Sequence, residues 1–243
     1  MTYVFVGAVG FLMGLAAHDV AVQSLTDDAP LRPFVGVCTL CGHHRGWLKG
    51  RCQICGHRVS REPFVALVGA AVSMGFLHTV GFGWLLVPYL AFVFMSIALV
   101  VTDLEAFRIV DRLNIRGTIA LGLLLLIASA LTGDLDSYLR ALGGAAAYFA
   151  GSSLLFITVG GRGFGAGDVK LGAQLGLFTA YLGWGVLGWA VFATAVIGGV
   201  VALFLVLAGG ASRKTELPYG PPMILGSWVS IVMVGLGAIP IPS

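Results

Sequence analysis

Two aspartates sit where long hydrophobic runs end. Asp168 follows Gly163-Phe164-Gly165-Ala166-Gly167, and a second apolar run opens just behind it at Leu171. Asp103, in Val101-Thr102-Asp103-Leu104-Glu105, closes the run that ends at Val101. An ionisable group beside a membrane-length apolar segment is costly to place, so its default reading is functional. Two such carboxyls brought together cannot both ionise readily; they share a proton and can act as a general acid and base. Glu105 and Asp111 offer other carboxylates in the same segment. Asp103 abuts the apolar run most directly, which favours it. Asp111 stands between Arg108 and Arg112 and is expected to pair with them on a wet surface. Gly165 and Gly167 would let a substrate backbone approach closely. Lys170 either snorkels to an interface or holds the field near the carboxylates.

A second cluster is made of thiols. Cys38-Thr39-Leu40-Cys41 is followed, ten residues on, by Cys52-Gln53-Ile54-Cys55, and a glycine follows each pair. Two Cys-x-x-Cys knuckles match a tetrahedral thiolate zinc site. Four thiolates leave no open position for water, so Cys38, Cys41, Cys52 and Cys55 are expected to hold a structural zinc. Two disulfides are the other reading, and a reducing compartment argues against it. His43, His44 and His57 lie beside the cysteines and read as solvated loop residues. His18 and Asp19 read as markers of the inner boundary of the first helix, although a polar cavity is the alternative.

Other chemistries lack their signatures. The glycine-rich stretch has no Gly-Lys-Ser/Thr after it and no strand before it, so it is not a phosphate loop. No Gly-x-Ser-x-Gly elbow or His-Glu-x-x-His pair occurs. No nucleic-acid partner is expected.

The elements that must position these residues are membrane helices. Hydrophobic residues make up 58% of the 243 and charged residues only 10%, against about 25% charged in soluble domains. A bilayer needs about 20 apolar residues per crossing. Eight segments qualify, near 2–20, 63–80, 84–102, 115–132, 138–159, 170–186, 188–208 and 222–239. Gly183-Trp184-Gly185 must then be the turn between the sixth and seventh. The first run lacks a basic leader and a small-residue cleavage site, so it reads as a retained helix. The expected organisation is a first helix over 1–20, a Cys-rich module over 21–62, and a seven-helix core over 63–243. The fold class is all-α and polytopic, in contact with lipid throughout.

Charge sets the orientation. All but Arg140 of the fourteen Lys and Arg residues fall in the loops 21–62, 103–116, 160–170 and 209–221. These alternate with loops that carry almost none. The positive-inside rule places the basic loops in the cytoplasm and both termini outside. Asp103 and Asp168 then emerge on one cytoplasmic face.

These residues resemble the type IV prepilin leader peptidases, polytopic aspartic proteases of the Gly-x-Gly-Asp class. Gly165-Ala166-Gly167-Asp168-Val169-Lys170-Leu171 is similar to the family's second aspartate motif. Asp103 followed by Ile109-Val110-Asp111-Arg112-Leu113 resembles its first, with Val110 where the family has proline. The segment from Gly50 through Pro63 resembles the second half of its Cys-rich domain. The resemblance covers nearly the whole chain. It implies catalytic Asp103 and Asp168 and cleavage of prepilin or pseudopilin leaders at the cytoplasmic boundary of a bacterial inner membrane. The family's Asn-Val-Val-x-x-Arg-Leu-Pro segment is replaced by Ala16-Ala17-His18-Asp19-Val20-Ala21. The Cys-rich loop is also shorter than in members that methylate the product with S-adenosylmethionine. Peptidase activity with weak or absent N-methylation is therefore expected. Two readings from other classes are a proton-coupled transporter, which would more often bury its carboxylates near the midplane, and a non-catalytic scaffold of a secretion system.

Overall fold

A computed structural model describes residues 1–26, 31, 36–38, 41, 44–45, 54–55, 62–160, 164–207 and 218–240. Eight helices appear among them: α1 (Thr2–Thr26), α2 (Glu62–Val80), α3 (Leu86–Ala106), α4 (Asp111–Thr132), α5 (Leu135–Val159), α6 (Ala166–Leu182), α7 (Trp184–Leu207) and α8 (Gly220–Gly235). Two-residue strands β1 (Gly36–Val37) and β2 (His44–Arg45) pair antiparallel, Gly36 opposite Arg45 and Val37 opposite His44. The chain is a polytopic helical bundle with a small ribbon between α1 and α2. Six of the helices are long and apolar enough to cross a membrane. The other two are shorter, α6 with 17 residues and α8 with 16. At 1.5 Å per residue these reach only about 26 and 24 Å, below the roughly 30 Å hydrocarbon thickness.

Several ends differ from the hydropathy boundaries. α1 runs to Thr26, past residue 20, because Ala17, Val20 and Ala21 on its inner face stay in the core. His18 and Asp19 are therefore buried within a helix, and the boundary reading is corrected. α3 continues past 102 and carries Asp103 inside its last turn. α4 begins at Asp111 rather than 115, and α6 and α8 both begin and end earlier than expected. The turn between α6 and α7 is where the glycine pattern put it. Gly183 alone separates them, at φ 154°, a conformation that favours glycine.

α6 is the central helix, buried along nearly its whole length. Its contact with α5 is backbone to backbone. A β-carbon at Gly176 would collide with the carbonyl of Gly144, and one at Gly144 would collide with Ala180. Small residues at such a seam let helices approach closely in lipid. On its other side α6 meets α3 through aromatic rings. Phe178 stacks on Phe92 at 4.3 Å and takes Tyr89 edge-on at 5.2 Å. The Tyr89 hydroxyl donates to the Phe178 carbonyl at 2.9 Å. Phe76 of α2 extends the cluster.

Arg140 stood alone outside the basic loops. It lies in α5 and donates to the Ala180 and Tyr181 carbonyls at 2.9 and 2.6 Å, at the end of α6. A cation there satisfies orphan carbonyls and complements the helix dipole.

Candidate functional site

The aromatic cluster sets the height of the two aspartates. Asp103 lies 11 positions beyond Phe92 toward the end of α3, and Asp168 lies 10 positions before Phe178 at the start of α6. At 1.5 Å per residue these offsets are about 16 and 15 Å. The two helices thus deliver their carboxylates to one level. Both side chains are buried, at 5% and 7% exposure. Carboxylates so enclosed need hydrogen bonds.

Each receives one from a backbone N–H at the start of a helix. Gly165 N–H donates to Asp168 Oδ2 at 2.8 Å, so Asp168 reaches back to cap α6, the carboxylate half of a capping box. Gly220 N–H, at the start of α8, donates to Asp103 Oδ2 at 3.1 Å. The first N–H groups of a helix have no partner within it, and its dipole favours negative charge there. The site is thus two carboxylates from α3 and α6, held by the first turns of α6 and α8.

The surrounding residues explain the glycines. A β-carbon at Gly220 would lie 2.8 Å from Asp103 Oδ2, and one at Gly167 would lie 2.8 Å from Ile109 Cβ. The Asn114 amide donates to the Gly167 carbonyl at 3.3 Å. Tyr219, just before Gly220, packs edge-on against Phe164 at 5.2 Å. Burial raises the Tyr219 phenol above its ordinary value, and the charge of Asp168 raises it further. Its hydroxyl therefore keeps its proton through the neutral range. Tyr219 and Phe164 line a cavity of about 320 Å³ with Tyr148, Ser152 and Thr194.

Lys170 donates to Asp111 Oδ2 at 2.7 Å, with both side chains substantially exposed. The partner of Asp111 is thus a lysine from α6, where its arginine neighbours were expected. The pair ties the start of α4 to the start of α6. Glu105 is exposed, which sets it apart from the buried aspartates. It lines, with His18, a larger cavity of about 550 Å³ whose walls are otherwise apolar, among them Val68, Ile97, Val101 and Trp228.

Sequence reasoning missed Gly220, Tyr219, Ile109 and Asn114. Gly220 acts through a backbone N–H, which leaves no side-chain signal. Pro218-Tyr219-Gly220-Pro221-Pro222 was the one local hint, as a rigid entry into a helix.

In the ribbon, the sulfurs of Cys38, Cys41 and Cys55 all lie within 4.8 Å of one another, and the cluster could hold a metal ion. The Cys38 and Cys55 sulfurs are 3.4 Å apart, too far for a disulfide of about 2.05 Å. Ligands at about 2.3 Å from a tetrahedral zinc would lie about 3.8 Å from each other, so the spacing fits that ion. Cys52, His43 and His57 lie outside the described residues, as does the side chain of His44.

A sequence model of the type IV leader peptidase family matches residues 90–203, which contain both aspartates. A Bacillus subtilis protein named prepilin leader peptidase/N-methyltransferase is 33% identical over 180 residues, covering 74% of this chain and 69% of that protein. A Myxococcus xanthus protein of the same name is 32% identical over 232 residues, 88% of this chain and 66% of the relative. An Aeromonas hydrophila protein, again so named, is 27% identical over 187 residues. The chain spans 63% of the length of this last relative. No solved structure matches.

Proposed function

The chain belongs to the type IV leader peptidase family, and from that premise we propose that it is an intramembrane aspartic endopeptidase. Its substrate is a type IV prepilin or pilin-like secretion subunit, from which it removes the short basic leader. The observation that carries this reading is the pair of buried carboxylates at one level, each held by the first turn of a helix. Asp103 and Asp168 share one proton and work as a unit. The ionised carboxylate draws a proton from water, and the protonated one donates to the scissile carbonyl oxygen. The space beside Gly167 is taken by Ile109 and that beside Gly165 by the Asp168 carboxylate, so these glycines pack the site rather than admit substrate, and Lys170 fixes the entry to α6 through Asp111.

The carboxylates face the cytoplasm of a bacterial inner membrane, with both termini outside. The distribution of lysine and arginine supports this orientation. Residues 63–243 form the peptidase core. The segment between α1 and α2 forms a zinc module in which Cys38, Cys41, Cys52 and Cys55 hold one structural ion. Such an ion supplies folding energy to a segment too small for its own core.

The relatives' names include N-methyltransferase. S-adenosylmethionine is large, polar and cationic, and its site requires convergent polar groups. The 550 Å³ cavity offers it His18 and Glu105 in a wall otherwise apolar among the described residues. That is a poor fit, so we assign the peptidase and expect weak or absent methylation. The test is purified protein in liposomes with a synthetic prepilin and S-adenosylmethionine, read by mass spectrometry. The expected product is the mature pilin with a free N-terminus. An uncleaved precursor refutes the assignment, and a product one methylene heavier at full occupancy refutes the methylation half.

A further inference from the structure

The linker between α3 and α4, residues 107–110, carries no group that could react, yet it touches both halves of the site. It opens on Phe107 in a left-handed turn, φ 50°, whose N–H closes onto the Asp103 carbonyl at 2.9 Å. It ends at Val110, whose carbonyl accepts the Leu113 and Asn114 N–H groups, both at 3.0 Å, to start α4. A non-glycine residue in the left-handed region costs on the order of 1 kcal/mol and persists where the surroundings demand it. What the turn achieves is to send Ile109 inward, where it is buried.

Ile109 sits against two glycines. Its Cβ is 2.8 Å from where a Gly167 β-carbon would be, and its Cδ1 is 3.3 Å from the corresponding point at Gly220. Gly167 precedes Asp168, and Gly220 donates to Asp103. Asn114 holds the carbonyl of Gly167, three residues into α4 from the same linker. One branched side chain therefore stands between the backbone that carries one carboxylate and the backbone that binds the other. Branching at Cβ leaves isoleucine little freedom about χ1, which suits a rigid gauge.

We propose that Ile109 is a positioning residue, a spacer that sets the distance between Asp103 and Asp168. The proposal rests on the protease reading above. It also accounts for glycine at both 167 and 220, since any side chain there would meet the spacer or the carboxylate it serves. A misplacement of about 1 Å in a catalytic pair can cost about 100-fold in rate, so the spacer should act on kcat.

The experiment uses the full-length protein in liposomes, a synthetic prepilin, and a thermal melt of each variant. Ile109→Val keeps the branched β-carbon against Gly167 and removes only the Cδ1 methyl at Gly220. It should lose on the order of 10-fold in kcat with KM unchanged. Gly167→Ala should lose on the order of 100-fold. Combining it with Ile109→Gly removes the β-carbon that the new methyl would meet, and the double variant should lose clearly less than the product of the single losses. Single losses that multiply, or an Ile109→Val variant with wild-type kcat, overturn the proposal. If Gly167→Ala does not fold, Ile109→Val decides alone. Wild-type protein that leaves the prepilin intact, or an Asp103→Asn variant that cuts it normally, instead removes the protease reading, so the two failures are told apart.

Discussion

Replacing Gly220 with alanine should disable the site while leaving the bundle standing. The new methyl carbon would lie 2.8 Å from Asp103 Oδ2 and 3.4 Å from its carboxyl carbon. The oxygen must retreat, and as it does it stretches the 3.1 Å hydrogen bond from the Gly220 N–H. A hydrogen bond to a charged group is worth about 1.5–3 kcal/mol, which is roughly 10- to 150-fold in rate at about 1.4 kcal/mol per decade. Stability should fall much less. The clash falls on the tip of a side chain, and alanine is a better helix former than glycine by up to about 1 kcal/mol. The assay is single-turnover cleavage of a prepilin in liposomes, beside a thermal melt. A Gly220→Ala variant with the melt of wild type and a rate within about two-fold of it would refute the reasoning, because the lost bond could then be worth no more than about 0.4 kcal/mol.

Phe178→Ala should be strongly destabilising, by about 3–5 kcal/mol, since it removes the ring that joins α3 to α6; a melting temperature close to wild type would show that the aromatic cluster does not set their register. Val110→Pro should be tolerated or stabilising by about 0.4–1 kcal/mol, because Val110 sits at φ −74°, within the proline range; a clear loss of stability by thermal melt contradicts this. Purified protein should carry one zinc per chain, and Cys55→Ser should lose it by elemental analysis; full retention would show that the thiols are not the ligands.

Much of this architecture could be read from hydropathy and charge. All eight helices and the turn at Gly183 follow from the apolar runs and glycines, because lipid forces each crossing to satisfy its own backbone. What hydropathy misplaced were the ends. It reads a carboxylate as a stop, but α3 carries Asp103 through its last turn because Gly220 supplies a donor from α8. His18 and Asp19 read as a boundary for the same reason, and α1 buries them. Both aspartates were visible as charges beside apolar runs. Their supports were not. Gly220 is 117 positions from Asp103 and acts through its backbone, and Lys170 finds Asp111 across 59 positions. Ile109 is chemically silent, and only the fold shows that it touches Gly167.

The central claim is that Asp103 and Asp168 form one catalytic pair. The direct measurement is cleavage of a prepilin by purified Asp103→Asn and Asp168→Asn variants, each first shown to melt like wild type. Asparagine preserves the shape and can still accept the Gly220 or Gly165 hydrogen bond, but it cannot transfer the proton. Either substitution alone should reduce cleavage on the order of 100- to 10,000-fold, the scale of a lost general acid or base. Near-normal processing by either folded variant would contradict the account.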